Sequence, residues 1–268
     1  MNQDVELIFE PRADPIEEPM RIAVLFSGGA SGVPFMVGGE TYKVVGAISS
    51  GENASGIKKI GNLNIPVRLN DIHKFYKEYD KPIKDMKVRD FYYDKDWEII
   101  EEEDWLPDII ANSGHMYYNT PRFLNRLPNR FLNVHPAFLP LLGEDGKRKY
   151  TGDDAVTDAM NAGEKFTYST IHIMDENVDG GPILYVSDSL PVGDRTPNEQ
   201  QELMKEKCDG PAYKKTLDML SRGLLGIDSE KNIYLKKGDE FVMTYRHGDN
   251  KYFAKNFAYM PGPEIKRF

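Results

Sequence analysis

Short runs of consecutive apolar residues, each closed by a polar or glycine-rich break, set the rhythm of this chain. Residues 21–26 (RIAVLF), 43–50 (KVVGAISS) and 65–69 (IPVRL) have the continuous apolar character of strands buried on both faces. A polar helical stretch separates the second from the third, and strand, helix, strand in succession predicts a parallel sheet. Residues 89–108 set Phe91, Trp97, Ile99, Ile100 and Trp105 among acids and bases, which predicts a partly exposed helix stopped before Pro107. DIIANS at 108–113 reads as a further central strand, Pro121 opens a short helix, and RFLNV at 130–134 is the next strand. Residues 153–163 predict a helix closed by Gly163. STIHIMD (169–175) and GPILYVSDSL (181–190) predict two strands joined by a turn at Asp179-Gly180-Gly181, and a last helix is expected from Pro197 to Arg222, with Gly223 as its stop.

The two ends differ from this pattern. Residues 1–19 carry three prolines and read as an extended arm more than a packed element. Alternation in NIYLKKGDEFVMTYR (232–246), around Lys237-Gly238-Asp239, predicts a β-hairpin that could add to a sheet or to a second copy of the chain. The expected architecture is therefore α/β and Rossmann-like: a mostly parallel twisted sheet flanked by helices, with a C-terminal β-hairpin extension. The divisions are an arm at 1–19, a domain at 20–226 and a tail at 227–268.

Charge narrows the class of partners. The 268 residues hold 34 Lys plus Arg against 43 Asp plus Glu, a net charge of −9 that argues against nucleic acid and acidic membranes. The arm has one Arg and six acids, and residues 76–105 have six bases and eleven acids, so most of the surplus lies in those two segments. A single cysteine, Cys208, excludes an intramolecular disulfide and a multi-cysteine metal site. No segment approaches the ~20 apolar residues of a membrane span and the N-terminus lacks the features of a signal peptide, so a cytoplasmic location is expected.

Ligands of open parallel sheets bind beyond the carboxyl ends of the strands. Asn133 and His135 alternate at the end of a predicted strand, so both project from one face. An Asn amide can donate to an oxygen that gains charge, and a His can transfer a proton near neutral pH. Asp179 is the carboxylate that could raise the pKa of such a His and orient it. The same residues would equally serve turns, and His135 an ordinary hydrogen bond before Pro136.

The ordered set FLNVHPAFLP (131–140) and GDDAVTDAMNAGEKFTYSTIHIMDENVDGGPIL (152–184) resembles the 10-formyltetrahydrofolate-dependent formyltransferase family, most closely its glycinamide ribonucleotide (phosphoribosylglycinamide) branch. Its marks are Asn-x-His-Pro-x-x-Leu-Pro, a helix ending near Ala-x-Gly, a Thr-x-His strand and Asp-x-Gly-Pro. PDIIANSGHMYYNTP (107–121) is similar to the family's Pro-Asp strand and pterin loop, and the likeness covers about residues 20–226.

By that resemblance, Asn133, His135 and Asp179 match the catalytic trio. The implied reaction is attack of a primary amine on the formyl carbon through a tetrahedral intermediate, with no metal. Asn133 and protonated His135 would stabilise the oxyanion, and Asp179 would support the His and help move protons. His172 matches a position in the wall of the site, and Pro136 would fix the loop after His135. Met116, Tyr117 and Tyr118 fall on the pterin loop, where the family often has Arg in place of Tyr117. Ser27 to Gly32 correspond to the segment that cradles the substrate phosphate, through Gly28, Gly29, Ala30, Ser31 and Gly32. Here Ala30 and Gly32 replace a Gly and an Asn. Asp209 falls near an acid that contacts the acceptor's ribose, and Lys147, Arg148 and Lys149 could meet a phosphate or a folate tail.

The implied acceptor is glycinamide ribonucleotide in purine biosynthesis, a small-molecule amine. The alternatives are another amine such as an amino-sugar nucleotide, or hydrolysis of 10-formyltetrahydrofolate to formate. A homo-oligomer through the tail is also open.

Overall fold

Burial on both faces is the rule at the centre of the sheet. In the computed structural model, which describes residues 4–248, β2 (Met20–Phe26) lies between β3 (Tyr42–Ser49) and β5 (Ile109–Asn112), parallel to both. Its residues Ile22, Val24 and Phe26 enter one apolar cluster, while Ala23 and Leu25 enter another on the opposite face. This division follows from the two-residue period of a strand. β4 (Val67–Leu69) extends the sheet beyond β3, and β6 (Phe131–His135) extends it beyond β5, both in parallel. β8 (Thr170–Ile173) and β9 (Ile183–Val186) then add antiparallel, giving the order β4-β3-β2-β5-β6-β8-β9. The expected mostly parallel sheet flanked by helices is observed.

One face is covered by α2 (Ile72–Glu78) and α3 (Met86–Glu102). Asp85 caps α3 by accepting from the amides of Lys87 and Val88, and Tyr92 and Tyr93 are buried against the sheet. The helix ends at Glu102, so Trp105 lies in the following loop with its indole against Gly46 of β3. A Cβ at Gly46 would come within 2.0 Å of that ring, which is why the strand carries glycine there. The shorter helices α1 (Gly56–Gly61), α4 (Pro121–Leu124) and α5 (Ala155–Asn161) occupy connections. β7 (Phe166–Thr167) pairs with β10 (Leu190–Pro191) as a small ribbon.

The helix expected over 197–222 is interrupted. α6 (Pro197–Met204) passes through a π-turn at Lys205–Asp209 into α7 (Gly210–Ser221). Pro211 supplies the reason, since it has no amide to continue the ladder and its ring crowds the carbonyl four residues before. The π-turn turns Asp209 inward, where Ser169 Oγ donates to its carboxylate.

The N-terminal arm corrects the expectation of a segment outside the packing. β1 (Glu6–Leu7) pairs antiparallel with β11 (Leu225–Ile227), which continues into β12 (Ile233–Lys237) and β13 (Glu240–Tyr245) to form a four-stranded sheet. Ile8 and Phe9 are buried in the main core, and Arg12 forms a two-pronged pair with Asp108 at 3.0 Å. The short apolar run Leu7-Ile8-Phe9 is what gives the arm something to bury. The predicted hairpin is present as β12 and β13, whereas residues 249–268 of the tail lie outside the described residues. Among the described residues no helix is long and apolar enough to cross a membrane.

Candidate active site

The carboxyl ends of β2, β5 and β6 open onto one cavity of about 850 Å³. β6 carries Asn133 and His135, and its antiparallel neighbour β8 sets His172 directly opposite Asn133. The segment joining β8 to β9 is a longer loop than the tight turn expected, and it returns Asp179 to the same place. All four side chains line the cavity, and His135, His172 and Asp179 are buried.

Hydrogen bonding assigns the protons. His135 Nε2 lies 2.9 Å from the Tyr150 carbonyl, which can only accept, so Nε2 carries hydrogen and Nδ1 holds the titratable lone pair. That Nδ1 is 3.4 Å from Asp179 Oδ2, which also accepts the Gly152 amide at 2.9 Å. His172 Nδ1 similarly donates to the Ile173 carbonyl at 3.0 Å, leaving Nε2 facing Asn133 Nδ2 at 3.4 Å and Asp179 Oδ1 at 3.6 Å. Asn133 therefore has its amide nitrogen turned toward His172.

Burial lowers the pKa of His135, opposed by Asp179 and assisted by His172 and Arg148. That favours the neutral imidazole in the free site, the form able to take up a proton. Burial pushes the Asp179 carboxyl up, yet the two facing histidines and the Gly152 amide hold it well below the usual carboxylate range. The arrangement is a neutral base beside a permanent anion, with an amide donor adjacent. It can take a proton and stabilise the resulting charge.

Gly28, Gly29, Ala30 and Ser31, in the loop that follows β2, form a second wall. The Gly28 carbonyl accepts the Gly56 amide, and Lys59 Nζ donates to the Gly29 carbonyl at 2.7 Å, bringing a cation to this loop. Gly32 does not line the cavity: its amide donates to Ser113 Oγ at 3.1 Å and it packs on Tyr213. Asp209 does line it, with burial pushing its carboxyl up to about 6 against the Ser169 hydroxyl and the Lys205 charge. Pro136 lines it beside His135.

Met116, Tyr117 and Tyr118 make a third wall. Ser27 Oγ accepts the Met116 amide, and Tyr118 OH donates to the Glu176 carbonyl at 2.9 Å. Tyr117 stacks on the guanidinium of buried Arg89, which also donates to the Tyr118 carbonyl at 3.4 Å. Asn112 lines the same region and donates to Asn119 Oδ1, while its own buried Oδ1 has no hydrogen-bond partner among the described residues.

His115 underlies this wall, with Ser50 Oγ 3.2 Å from Nδ1 and Tyr93 OH 3.0 Å from Nε2. Burial, helped by the Arg89 charge, pushes its pKa down from 6.5 to about 3. Its neutral form stabilises the fold fully above pH 6.5, and that contribution is lost as pH falls toward 3. Urea unfolding should show the advantage of the parent over His115→Gln shrinking by about 2–3 kcal/mol between pH 6.5 and 4.5. An advantage constant with pH would contradict this.

Sequence reasoning missed Lys59, Tyr150, Gly152 and Arg89. Lys147, Arg148 and Lys149 do not line the cavity. Lys149 pairs with Glu164 at 3.6 Å and Arg148 turns inward onto the loop that carries Asp179. Among the described residues no group of three or more His, Cys, Asp or Glu could hold a metal ion.

Comparison with known proteins adds a family to this geometry. The formyl transferase family model matches residues 20–209. The trifunctional purine biosynthetic protein adenosine-3 of Chironomus tentans is 26% identical over 222 residues, 78% of this chain and 14% of that protein. The phosphoribosylglycinamide formyltransferase of Mycobacterium tuberculosis (strain CDC 1551 / Oshkosh) is 36% identical over 101 residues, 38% of this chain and 41% of that protein. The matches thus span less than half of either relative's length. The crystal structure of glycinamide ribonucleotide transformylase 1 from Symbiobacterium toebii shares the fold with a TM-score of 0.67 at 20% identity, covering 82% of this chain and 95% of that one.

Proposed function

This chain belongs to the formyl transferase family, and from that premise we propose that it transfers a formyl group from 10-formyltetrahydrofolate to the primary amine of glycinamide ribonucleotide, in the cytoplasm and in purine biosynthesis. The observation that carries this reading is the convergence of Asn133, His135, His172 and Asp179 on the cavity that the Gly28–Ser31 loop and the Met116–Tyr118 loop also line. The residues present suit a pterin: aromatic Tyr117 and Tyr118 offer flat surfaces, and the orphaned Asn112 Oδ1 is an acceptor for a ring donor. When bound, 10-formyltetrahydrofolate supplies the formyl carbon and a nitrogen leaving group.

The protein's part is proton handling and charge stabilisation. His135 Nδ1 accepts the proton that the attacking amine gives up, and Asp179 Oδ2 stabilises the imidazolium so formed. The imidazolium then returns that proton to the departing nitrogen. Asn133 Nδ2 donates to the formyl oxygen as it gains negative charge, and His172 keeps that amide group oriented. The Gly28–Ser31 loop, with Lys59 beside it, receives the acceptor's phosphate, and Asp209 meets its sugar hydroxyls.

The test is incubation of the protein with 10-formyltetrahydrofolate and glycinamide ribonucleotide, an amino-sugar nucleotide, or water alone, following loss of the formyl group. Turnover should require glycinamide ribonucleotide. Equal turnover in water would make the protein a hydrolase, and preference for the sugar nucleotide would change the acceptor.

A further inference from the structure

The loop that presents Asp179 is held by contacts that none of the four cavity side chains provides. Asp179 has a left-handed backbone, with φ +52, a region that non-glycine residues seldom adopt. Two residues on, Gly181 passes so close to β8 that a Cβ would lie 1.9 Å from the Ile173 carbonyl oxygen. A backbone in this shape persists only where its surroundings fix it.

Arg148 is the side chain that does so. Its Nη1 donates to the Asp179 carbonyl, and its Nη2 donates to the Gly181 carbonyl at 2.8 Å and to Tyr245 OH at 3.0 Å. A planar guanidinium suits this task, because its rigid fork reaches two carbonyls of one turn at once. Arg148 is half-buried and does not line the cavity, so it is not placed as a ligand for substrate. The segment that carries it is itself braced, with the Leu142–Arg148 bridge and the Lys149 amide donating to the Leu141 carbonyl at 2.9 Å. The same segment supplies the Gly152 amide to Asp179 Oδ2. One loop thus grips both the main chain and the carboxylate of Asp179.

The third contact reaches further. Tyr245 is 1% exposed and ends β13, in the four-stranded sheet beyond residues 20–209 matched by the family. We propose that Arg148, seated on Tyr245, is a positioning residue for Asp179, so that the C-terminal sheet sets the geometry of the formyl-transfer site. The proposal rests on the reading of Asp179 given above.

The test uses the full chain with Arg148→Lys, Arg148→Met and Tyr245→Phe, each checked for folding by circular dichroism. Two quantities are read: kcat and KM for formyl transfer, and the titration of the His135 imidazole by NMR in the ligand-free protein. The groups facing His135 are Asp179 and Arg148 from two loops, His172 from β8 and the Tyr150 carbonyl. Arg148→Lys keeps the charge and loses the fork, so only a displaced Asp179 would move the titration, and it should move to lower pH.

Arg148→Met should lower kcat about 100-fold, Arg148→Lys about 10-fold and Tyr245→Phe about 3-fold, with KM changed less than about 3-fold. Unchanged kcat in all three, or lost kcat with the His135 titration of Arg148→Lys unmoved, would overturn the proposal. Should Arg148→Met fail to fold, the other two variants decide it. If the parent itself turns over no acceptor, the functional reading fails, while the His135 titration still decides whether Arg148 positions Asp179.

Discussion

Asp179→Asn is expected to lower kcat for formyl transfer by about 10³-fold in a protein that remains folded. The substitution preserves shape. The Asn carbonyl oxygen can replace Oδ2, which accepts the Gly152 amide and lies 3.4 Å from His135 Nδ1. Its amide nitrogen then takes the place of Oδ1, 3.6 Å from the lone pair of His172 Nε2. What disappears is the negative charge. His135 is buried, and burial already disfavours its charged form. Without the anion, the proton gained from the attacking amine would have no counter-charge, at the moment when the barrier is highest. Single-turnover rates with saturating substrates, beside a melting temperature close to the parent's, would carry the point. A rate within tenfold of the parent would remove Asp179 from the chemistry.

The second large effect is expected at His135. In His135→Asn no side chain at this position can hold a proton, and a loss of about 10² to 10⁴-fold in kcat should follow. The pH profile separates this from mere distortion. The parent's rate should fall on the acid side below pH 6.5, because burial lowers the His135 pKa and the neutral form is the base. The variant's residual rate should lack that acid limb. Persistence of the limb in His135→Asn would assign it to another group, with His172 the neighbour to examine.

The strands of the large sheet were legible because their burial on both faces leaves unbroken apolar runs, as in Arg21–Phe26 and Asp108–Ser113. Pairings between distant segments were not. Nothing local in Glu6 and Leu7 announces that they lie beside Ile227 and Gly226. The π-turn at Lys205–Asp209 was hidden for another reason: the helical pattern runs on through it, and Pro211 was the only local sign of the break.

At the site, the two-residue spacing of Asn133 and His135 gave their common face directly. The approach of Asp179 depends on a loop whose path only the fold decides: the residues offered it as a candidate carboxylate, and the resemblance matched it to the catalytic trio. Lys147, Arg148 and Lys149 illustrate the limit in the other direction. A run of three bases looks solvated throughout, yet Arg148 turns inward between exposed Lys147 and Lys149. Gly32 likewise belongs to the right loop and serves packing with Ser113 and Tyr213 in place of the cavity.

The pairing of β1 with β11 also orders events during synthesis. The arm leaves the ribosome before the strand that receives it, which comes more than two hundred residues later. Until residues 225–227 have emerged, Ile8 and Phe9 have lost no water to the sheet edge that will seat them, and closing so long a loop is an entropic cost met late. The nascent chain therefore carries an exposed apolar segment until that partner strand has been made. It is the kind of segment that chaperones hold, and aggregation during synthesis should begin there.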